Sequence, residues 1–186
     1  MINLKHKPTI LGYKVIIRPF ETSDIADMEA CLQDLEVIKL TGSPLDYDSE
    51  SVVKWYSTRN EQVDRLDLAI VDKINYDVVG EVVVNEYDDV KESMNYRILI
   101  GPKGRNRGLG TEATKLILDY VFSNTDLEQV TLSVYAFNPR AKKVYEKAGF
   151  VLDSVDVAEL EYEGEMIDSL NMILTREQWE ASRQIQ

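Results

Sequence analysis

Gly101-Pro-Lys-Gly-Arg-Asn-Arg-Gly-Leu-Gly110, continuing as Thr111-Glu-Ala-Thr-Lys-Leu-Ile-Leu-Asp-Tyr120, is the stretch on which the reading of this chain turns. Just before it, Tyr96-Arg-Ile-Leu-Ile100 is a mostly apolar run of strand length. Just after, Leu109, Ala113, Leu116, Ile117, Tyr120 and Val121 recur at helical spacing, which gives an amphipathic helix one buried stripe. Strand, glycine-rich turn and helix, in that order, is the setting in which such glycines bind phosphate. A residue without Cβ lets the backbone approach a ligand closely and take positive φ. The first helical turn leaves N–H groups without partners, and its dipole favours an anion. Arg105 and Arg107 add positive charge. Arg105 to Gly110 therefore reads as a cradle for a phosphate or pyrophosphate, although a basic surface turn joining strand to helix fits the local pattern equally well.

Two common phosphate motifs do not fit. No Gly-Lys-Ser/Thr ends the loop, which argues against a nucleoside-triphosphatase loop. In the dinucleotide fingerprint Ala113 is a tolerable third position, but no acidic residue closes a second strand about twenty residues later.

Working outward, Tyr13–Ile17 is a strand candidate. Ser23 is positioned to cap a helix whose buried face is Ile25, Met28, Leu32 and Leu35. Residues 40–48 read as a loop, and Ser49–Arg59 as a second helix anchored by Val52, Trp55 and Tyr56. Asp67–Val71, Val78–Val84 and Ser93–Ile100 read as successive antiparallel strands, with a bulge or close approach expected at Gly80 and a charged loop at Glu86–Glu92. After the central helix come a strand at Gln129–Ala136 and a helix that Asn138 caps and Pro139 opens, ending at Gly149. Val151–Leu160 and Asp168–Leu174 form a final antiparallel pair, followed by a short helix near Thr175–Ser182. The order predicts an α/β fold: a mixed, mostly antiparallel central sheet with helices on both faces.

Residues 1–186 are expected to form a single domain, with 1–10 a loose arm. With 44% hydrophobic and 29% charged residues, the composition is that of an ordinary globular protein. No apolar run approaches the roughly eighteen residues that span a membrane, so no membrane partner is expected. Met1–Pro8 is basic but no apolar segment follows, so no signal peptide is evident. The single cysteine, Cys31, fits a reducing cytoplasm and reads as packing. A net charge of −12 disfavours nucleic acid and favours a cationic substrate. The acid is uneven: from Asp153 to Asp168 there are seven carboxylates and no Lys or Arg. They read either as flanking a groove that attracts a cation or as a solvated hairpin. One His and one Cys, far apart, give no transition-metal site.

Arg105-Asn106-Arg107-Gly108-Leu109-Gly110 resembles the Arg/Gln-x-x-Gly-x-Gly/Ala motif of the GCN5-related N-acetyltransferases. Asn138-Pro139-Arg140-Ala141, Tyr145 and Gly149-Phe150 are similar to that family's later elements, in the right order and separation. The resemblance runs from about Val15 to Trp179 and is strongest to the branch that includes the ribosomal-protein alanine acetyltransferases. It implies the acyl-CoA N-acyltransferase fold, with acetyl-CoA as cosubstrate. The motif's amides, from Arg105 to Thr111, would bind the pyrophosphate. The strand at Ile98, Leu99 and Ile100 would splay from the parallel strand at Val130–Ala136 to admit the pantetheine arm. Asn138 and Ala141 would approach that arm, and Arg140 with Lys142 or Lys143 the 3′-phosphate of the nucleotide end. Tyr145 would protonate the departing thiolate. The helix pair before the sheet would wall the acceptor groove, which gives Tyr47, Trp55 and Tyr56 a part in its shape. Homodimerisation through the last strands is also implied.

A general base is the least supplied part. The related enzymes often carry an acid where this chain has Asn95; Glu81, beside Gly80, or Glu92 would serve instead, or bulk water would suffice. The acceptor would be a primary amine: a ribosomal-type protein N-terminus, a polyamine or an aminoglycoside. A non-catalytic acyl-CoA-binding or sensing module, and a nucleotide-binding α/β protein, are the competing readings.

Overall fold

The structure, a computed structural model, describes residues 2–44, 46 and 48–184. Apolar runs place the middle of the sheet. Every residue of β3 (Leu66–Asp72) is buried, and most of β4 (Val78–Asp88), as expected of strands covered on both faces. The remaining strands are β1 (Ile10–Leu11), β2 (Val15–Pro19), β5 (Ser93–Ile100), β6 (Gln129–Tyr135), β7 (Val151–Tyr162) and β8 (Glu165–Thr175). They form one eight-stranded sheet in the order β1-β2-β3-β4-β5-β6-β8-β7. All neighbours are antiparallel except β5 and β6.

That parallel pair is short. It runs from Ser93↔Gln129 to Asn95↔Thr131 and stops. Beyond it, Tyr96–Ile100 keeps only β4 as a neighbour and Leu132–Tyr135 keeps only β8. The backbone groups facing the opening have no strand partner, which leaves them to solvent or a ligand. The splay expected from the resemblance is therefore present.

A bulge sits opposite. Ile70 pairs with Gly80 and Val71 with Val78, so Val79 is the extra residue. A Cβ on Gly80 would come within 1.9 Å of the Leu99 carbonyl oxygen, so only glycine lets β4 and β5 approach there. The Val79 carbonyl accepts the Gly101 amide at 2.8 Å and so fixes where β5 hands over to the glycine-rich loop.

Helices cover both faces. On one, α4 (Leu109–Asn124) and α5 (Pro139–Lys147) lay Leu109, Ala113, Ile117, Val121 and Tyr145 over Val82, Val84, Tyr96 and Leu132. Ile117 is fully buried, and its truncation to Ala would cost about 2–5 kcal/mol. On the other face, α1 (Ile25–Leu32), α2 (Leu35–Thr41) and α3 (Ser49–Thr58) are present; Met28, Cys31 and Tyr56 pack there with Ala69, Val71 and Val78. The terminal helix α6 (Arg176–Arg183) stacks Trp179 on Phe122. The C-terminus of α5 closes as the sequence predicts: Gly149 has φ 103°, its amide reaches the Glu146 carbonyl and the Phe150 amide the Tyr145 carbonyl.

Several local expectations are corrected. The first helix does not run through Leu35, which is 75% exposed. The chain breaks at Gln33, Asp34 accepts the Val37 amide as a new N-cap, and α2 continues to Gly42 in the left-handed region. Leu40 and Thr41 are thus helical and not loop. Ser23 caps nothing; Asp24 accepts the Glu21 amide at 2.7 Å while paired with Arg18. The strand pair around the charged loop is longer than expected, β4 reaching Asp88. Residues 2–9 lack regular structure, yet Leu4 is buried and Lys7 Nζ donates to the carbonyls of Leu4, Gln62 and Arg65. Tyr47 lies outside the described residues.

Candidate active site

The splay opens into a cleft of about 1190 Å³ that passes through the sheet. Its cofactor-side rim is the glycine-rich loop. Asn106 (φ 58°) and Gly108 (φ 75°) both take left-handed backbone, and α4 begins directly after. Alternating left-handed residues turn successive amides towards one point, the geometry of an anion-binding nest. No side chain caps the first turn of α4. The amides of Leu109, Gly110 and Thr111, at the head of a helix that lines the cleft, are therefore open donors. This arrangement fits a pyrophosphate.

The arginines are less free than the sequence suggests. Arg105 lines the cleft but pairs with Asp34 and, at 2.9 Å, with Glu36. Arg140 also pairs with Glu36, so one carboxylate on α2 ties the loop to α5. Arg107 turns away altogether. It is not among the cleft residues, and its Nη2 lies 2.7 Å from Oδ2 of the buried Asp72. The expectation that Arg107 adds charge to the phosphate cradle is corrected: its positive charge is spent on a buried acid, and only its main chain belongs to the loop. Lys143 lines the cleft, whereas Lys142 pairs with Glu146 along α5.

Further in, Ile98, Leu99 and Ile100 form one side of the gap, facing Val134 and Tyr135. Asn138 accepts the Ala141 amide at 3.1 Å as the N-cap of α5, and the residue also lines the cleft. Tyr145 does two things. Its ring is buried in a trio with Tyr96 and Phe150, at centroid distances of 6.3 and 6.0 Å. Its residue also lines the cleft, and among the described residues its hydroxyl has no hydrogen-bond partner. Burial pushes the phenol well above its ordinary value, so it stays protonated as a donor.

Glu81 reaches the same cleft from the opposite face of the sheet. Its Oε2 accepts the Tyr56 hydroxyl at 3.1 Å. Burial pushes its carboxyl up to about 7, with Asp67 adding to the rise and the Tyr56 hydrogen bond, Arg97 and Arg65 opposing it. A carboxylate that titrates near neutrality is suited to accept a proton at physiological pH. Glu92 lies off the cleft: it sits before β5, beside the closed end of the β5–β6 pair. Asn95 hydrogen-bonds Asn85 at 3.2 Å and is no part of the cleft lining. Cys31 is buried with its thiol pushed up to about 11, the state of an inert packing residue.

The acceptor side has an apolar helical wall, including Val37, Leu40, Val52 and Trp55, and a polar wall from the last strands. Trp55 is half-exposed with Arg59 stacked on it at 3.6 Å. On the opposite wall, Asn171 links Ser133 to Asp156 across β6, β8 and β7. Of the acidic hairpin, Asp156 and Glu159 face the cleft; Glu161, Glu163 and Glu165 are exposed and lie off it. Arg97 is an exposed cation that lines the cleft near Glu81.

The acetyltransferase (GNAT) domain family matches residues 14–151, which spans the loop, the gap and both Glu81 and Tyr145. The chain belongs to the GNAT acetyltransferase family. As a GNAT enzyme it uses acetyl-CoA as cosubstrate, and the non-catalytic and nucleotide-binding readings fall away. Among curated relatives it is 23% identical over 169 residues to a spermidine N(1)-acetyltransferase of Escherichia coli, covering 90% of this chain and 89% of that one. It is 24% identical over 159 residues to an N-acetyltransferase 9-like protein of Caenorhabditis elegans, covering 78% and 79%. Among solved structures, the spermidine N-acetyltransferase of Vibrio cholerae in complex with CoA and spermine superposes with a TM-score of 0.81 at 20% identity, covering 90% of this chain and 99% of that one. A GNAT-family acetyltransferase from Bacillus anthracis superposes with a TM-score of 0.79 at 19% identity, covering 91% and 99%. At these identities the superpositions establish the GNAT fold.

Two features of this GNAT site carry little sequence signal. Tyr56 reads only as a helix aromatic, and nothing local places its hydroxyl on Glu81. Asp34 caps, and Glu36 lies in the first turn of, a helix that periodicity alone does not separate from α1.

Proposed function

We propose that this GNAT enzyme acetylates a small polyamine-type amine, with Glu81 as general base and Tyr145 as general acid. The observation that carries the acceptor class is the placement of three carboxylates, Glu81, Asp156 and Glu159, around a cleft in a chain of net charge −12. An extended cation with several ammonium groups would meet them in turn, and the negative field would concentrate it. The relatives named above include spermidine acetyltransferases, which supports this class over the ribosomal-protein N-terminus that the motifs suggest. Arg97 favours a second reading, an amine whose neighbouring carboxylate would lie against the guanidinium.

Acetyl-CoA supplies the activated acetyl group and leaves as the thiol. The chain's part is positioning and proton movement. The loop amides hold the diphosphate end, and the unpaired edges of β5 and β6 receive the arm. Glu81, half-buried and ionised on about half the molecules near pH 7, takes the ammonium proton through water so that a neutral amine attacks. Tyr145, on the far side of the gap, donates the proton that the departing sulfur needs, and the second proton shed by the attacking nitrogen once the C–N bond has formed restores the phenol. The two groups approach from opposite faces of the sheet and both line the cleft, so an amine and a thioester meeting there would lie between them.

An amine panel with a free-thiol readout tests the assignment. Spermidine and spermine should exceed an alanine-initiated peptide, an aminoglycoside and amino acids in kcat/KM by at least about tenfold. Preference for the peptide or an amino acid would overturn the polyamine reading. Glu81→Gln should abolish the rise of kcat/KM through about pH 7; an unaltered profile would remove Glu81 as base.

A further inference from the structure

We infer that Tyr56 is the positioning residue of the reaction: its hydroxyl holds the Glu81 carboxylate in one orientation at the cleft and tunes the pH at which that carboxylate accepts a proton. The inference rests on the assignment of Glu81 as base.

The geometry is specific. Tyr56 lies on α3 and is buried, its ring edge-on to Phe20 at 4.8 Å. Its hydroxyl reaches across to β4 and donates to Glu81 Oε2 at 3.1 Å. No other hydrogen bond to that carboxylate is present among the described residues, so the other oxygen is left for water and substrate. A half-buried carboxylate with one oxygen fixed and one free is oriented and still able to accept a proton. The donor itself cannot take over the negative charge. Burial and the adjacent Glu81 push the Tyr56 phenol far above its ordinary value, so it remains a donor at every working pH.

The electrostatic balance around Glu81 shows what the hydroxyl contributes. Facing it are Asp67 and Arg65 at β3, Arg97 on β5, Arg59 after α3 and the neutral Cys31 thiol on α1. Arg65 is committed to Asp67 through hydrogen bonds at 2.6 and 2.8 Å, and Arg59 is stacked on Trp55. Arg97 is exposed and screened. The Tyr56 hydroxyl is the direct contact that favours the ionised form against burial.

The test is Tyr56→Phe, which keeps the ring and its Phe20 contact and removes only the oxygen. Losing a hydrogen bond to a charged oxygen should move the acid limb of the kcat/KM profile upward by about one pH unit or more, which lowers kcat/KM at pH 7 roughly fivefold. The two enzymes should converge above the new limb, and carbon-13 NMR of labelled glutamate should show Glu81 titrating at the same higher pH. KM for acetyl-CoA should not change. A merely structural role would lower activity by one factor at all pH values with the limb in place, and that result would overturn the inference. Failure of the base assignment looks different: the limb would persist in Glu81→Gln, and the role given to Tyr56 would fall with it. If Glu81→Gln removes the limb while Tyr56→Phe leaves it at its original pH, Tyr56 alone is refuted.

Discussion

Replacing Arg107 by Ala separates two readings of the same motif. If its guanidinium served the cosubstrate's phosphates, the variant would lose affinity and keep its stability. The structure requires the reverse. Asp72 is 1% exposed as a side chain; its Oδ1 accepts the Ile74 amide at 3.0 Å, and among the described residues its Oδ2 has only the ion pair with Arg107, 2.7 Å away. Breaking a buried ion pair from one side costs about 3–5 kcal/mol. Arg107 is itself 35% exposed and Oδ1 keeps its partner, so solvent screening brings the cost below that range, to about 2–3 kcal/mol. For a chain of this size that is a fall in Tm of roughly 5–10 °C. The pH dependence has a definite sign. Burial alone would raise the Asp72 carboxyl, but the Ile74 amide and Arg107 outweigh it and hold it below the ordinary value. Its contribution is therefore complete above the unfolded carboxylate value near 4 and is lost as pH falls through the folded value. Scanning calorimetry should show the gap between wild type and variant at pH 7 and a smaller gap below about pH 4. Titration calorimetry should find CoA affinity within about twofold. An unchanged Tm with affinity reduced about tenfold or more would refute the reasoning and return Arg107 to the phosphates.

Tyr145→Phe keeps the aromatic trio and removes the donor, so turnover should fall by roughly a hundredfold while CoA affinity is retained; unchanged turnover across pH would dismiss it as the acid. Gly80→Ala puts a Cβ 1.9 Å from the Leu99 carbonyl oxygen, which must displace β5 at the gap. Destabilisation of about 2 kcal/mol or more in denaturant, with weakened CoA binding, is expected; a wild-type midpoint would contradict the bulge. Asn138→Ala removes the α5 cap and should cost about 1 kcal/mol. A larger rise in KM for acetyl-CoA than that loss explains would reveal a direct contact of the carboxamide with the cosubstrate.

The readable parts of this chain are those set by local chemistry. Pro139 after Asn138, Gly149 before Phe150 and the period from Leu109 to Val121 each specify their element within a few residues, and each is present. Gly80 was legible as a close approach because few other reasons put glycine inside a valine-rich strand. The misreadings share a cause. Leu35 fits the stripe of α1 by spacing, and the break before it depends on Asp34 finding the Val37 amide, which competes with simply continuing the helix. Arg107 carries the right charge for a phosphate; that it turns to Asp72 depends on a residue from a different hairpin. Tyr56 and Glu81 are 25 residues apart, and their hydrogen bond exists only once α3 lies on β4. Long-range pairings of this kind leave no trace in periodicity.

The brief β5–β6 ladder has an energetic consequence. Among the described residues, the rungs from Ser93 to Asn95 and the Glu128 amide on the Glu92 carbonyl join the two sheet halves at that end, and Tyr96–Ile100 and Leu132–Tyr135 leave the rest of that seam as open edge. A guest molecule whose amides bridge the seam becomes a strut as well as a reagent. By mass action, a ligand at a hundred times its dissociation constant adds about 2.7 kcal/mol to the folded state, and here part of that tightening should fall on the seam itself. Amide exchange along Tyr96–Ile100 and Leu132–Tyr135 should slow more than elsewhere once the guest is seated.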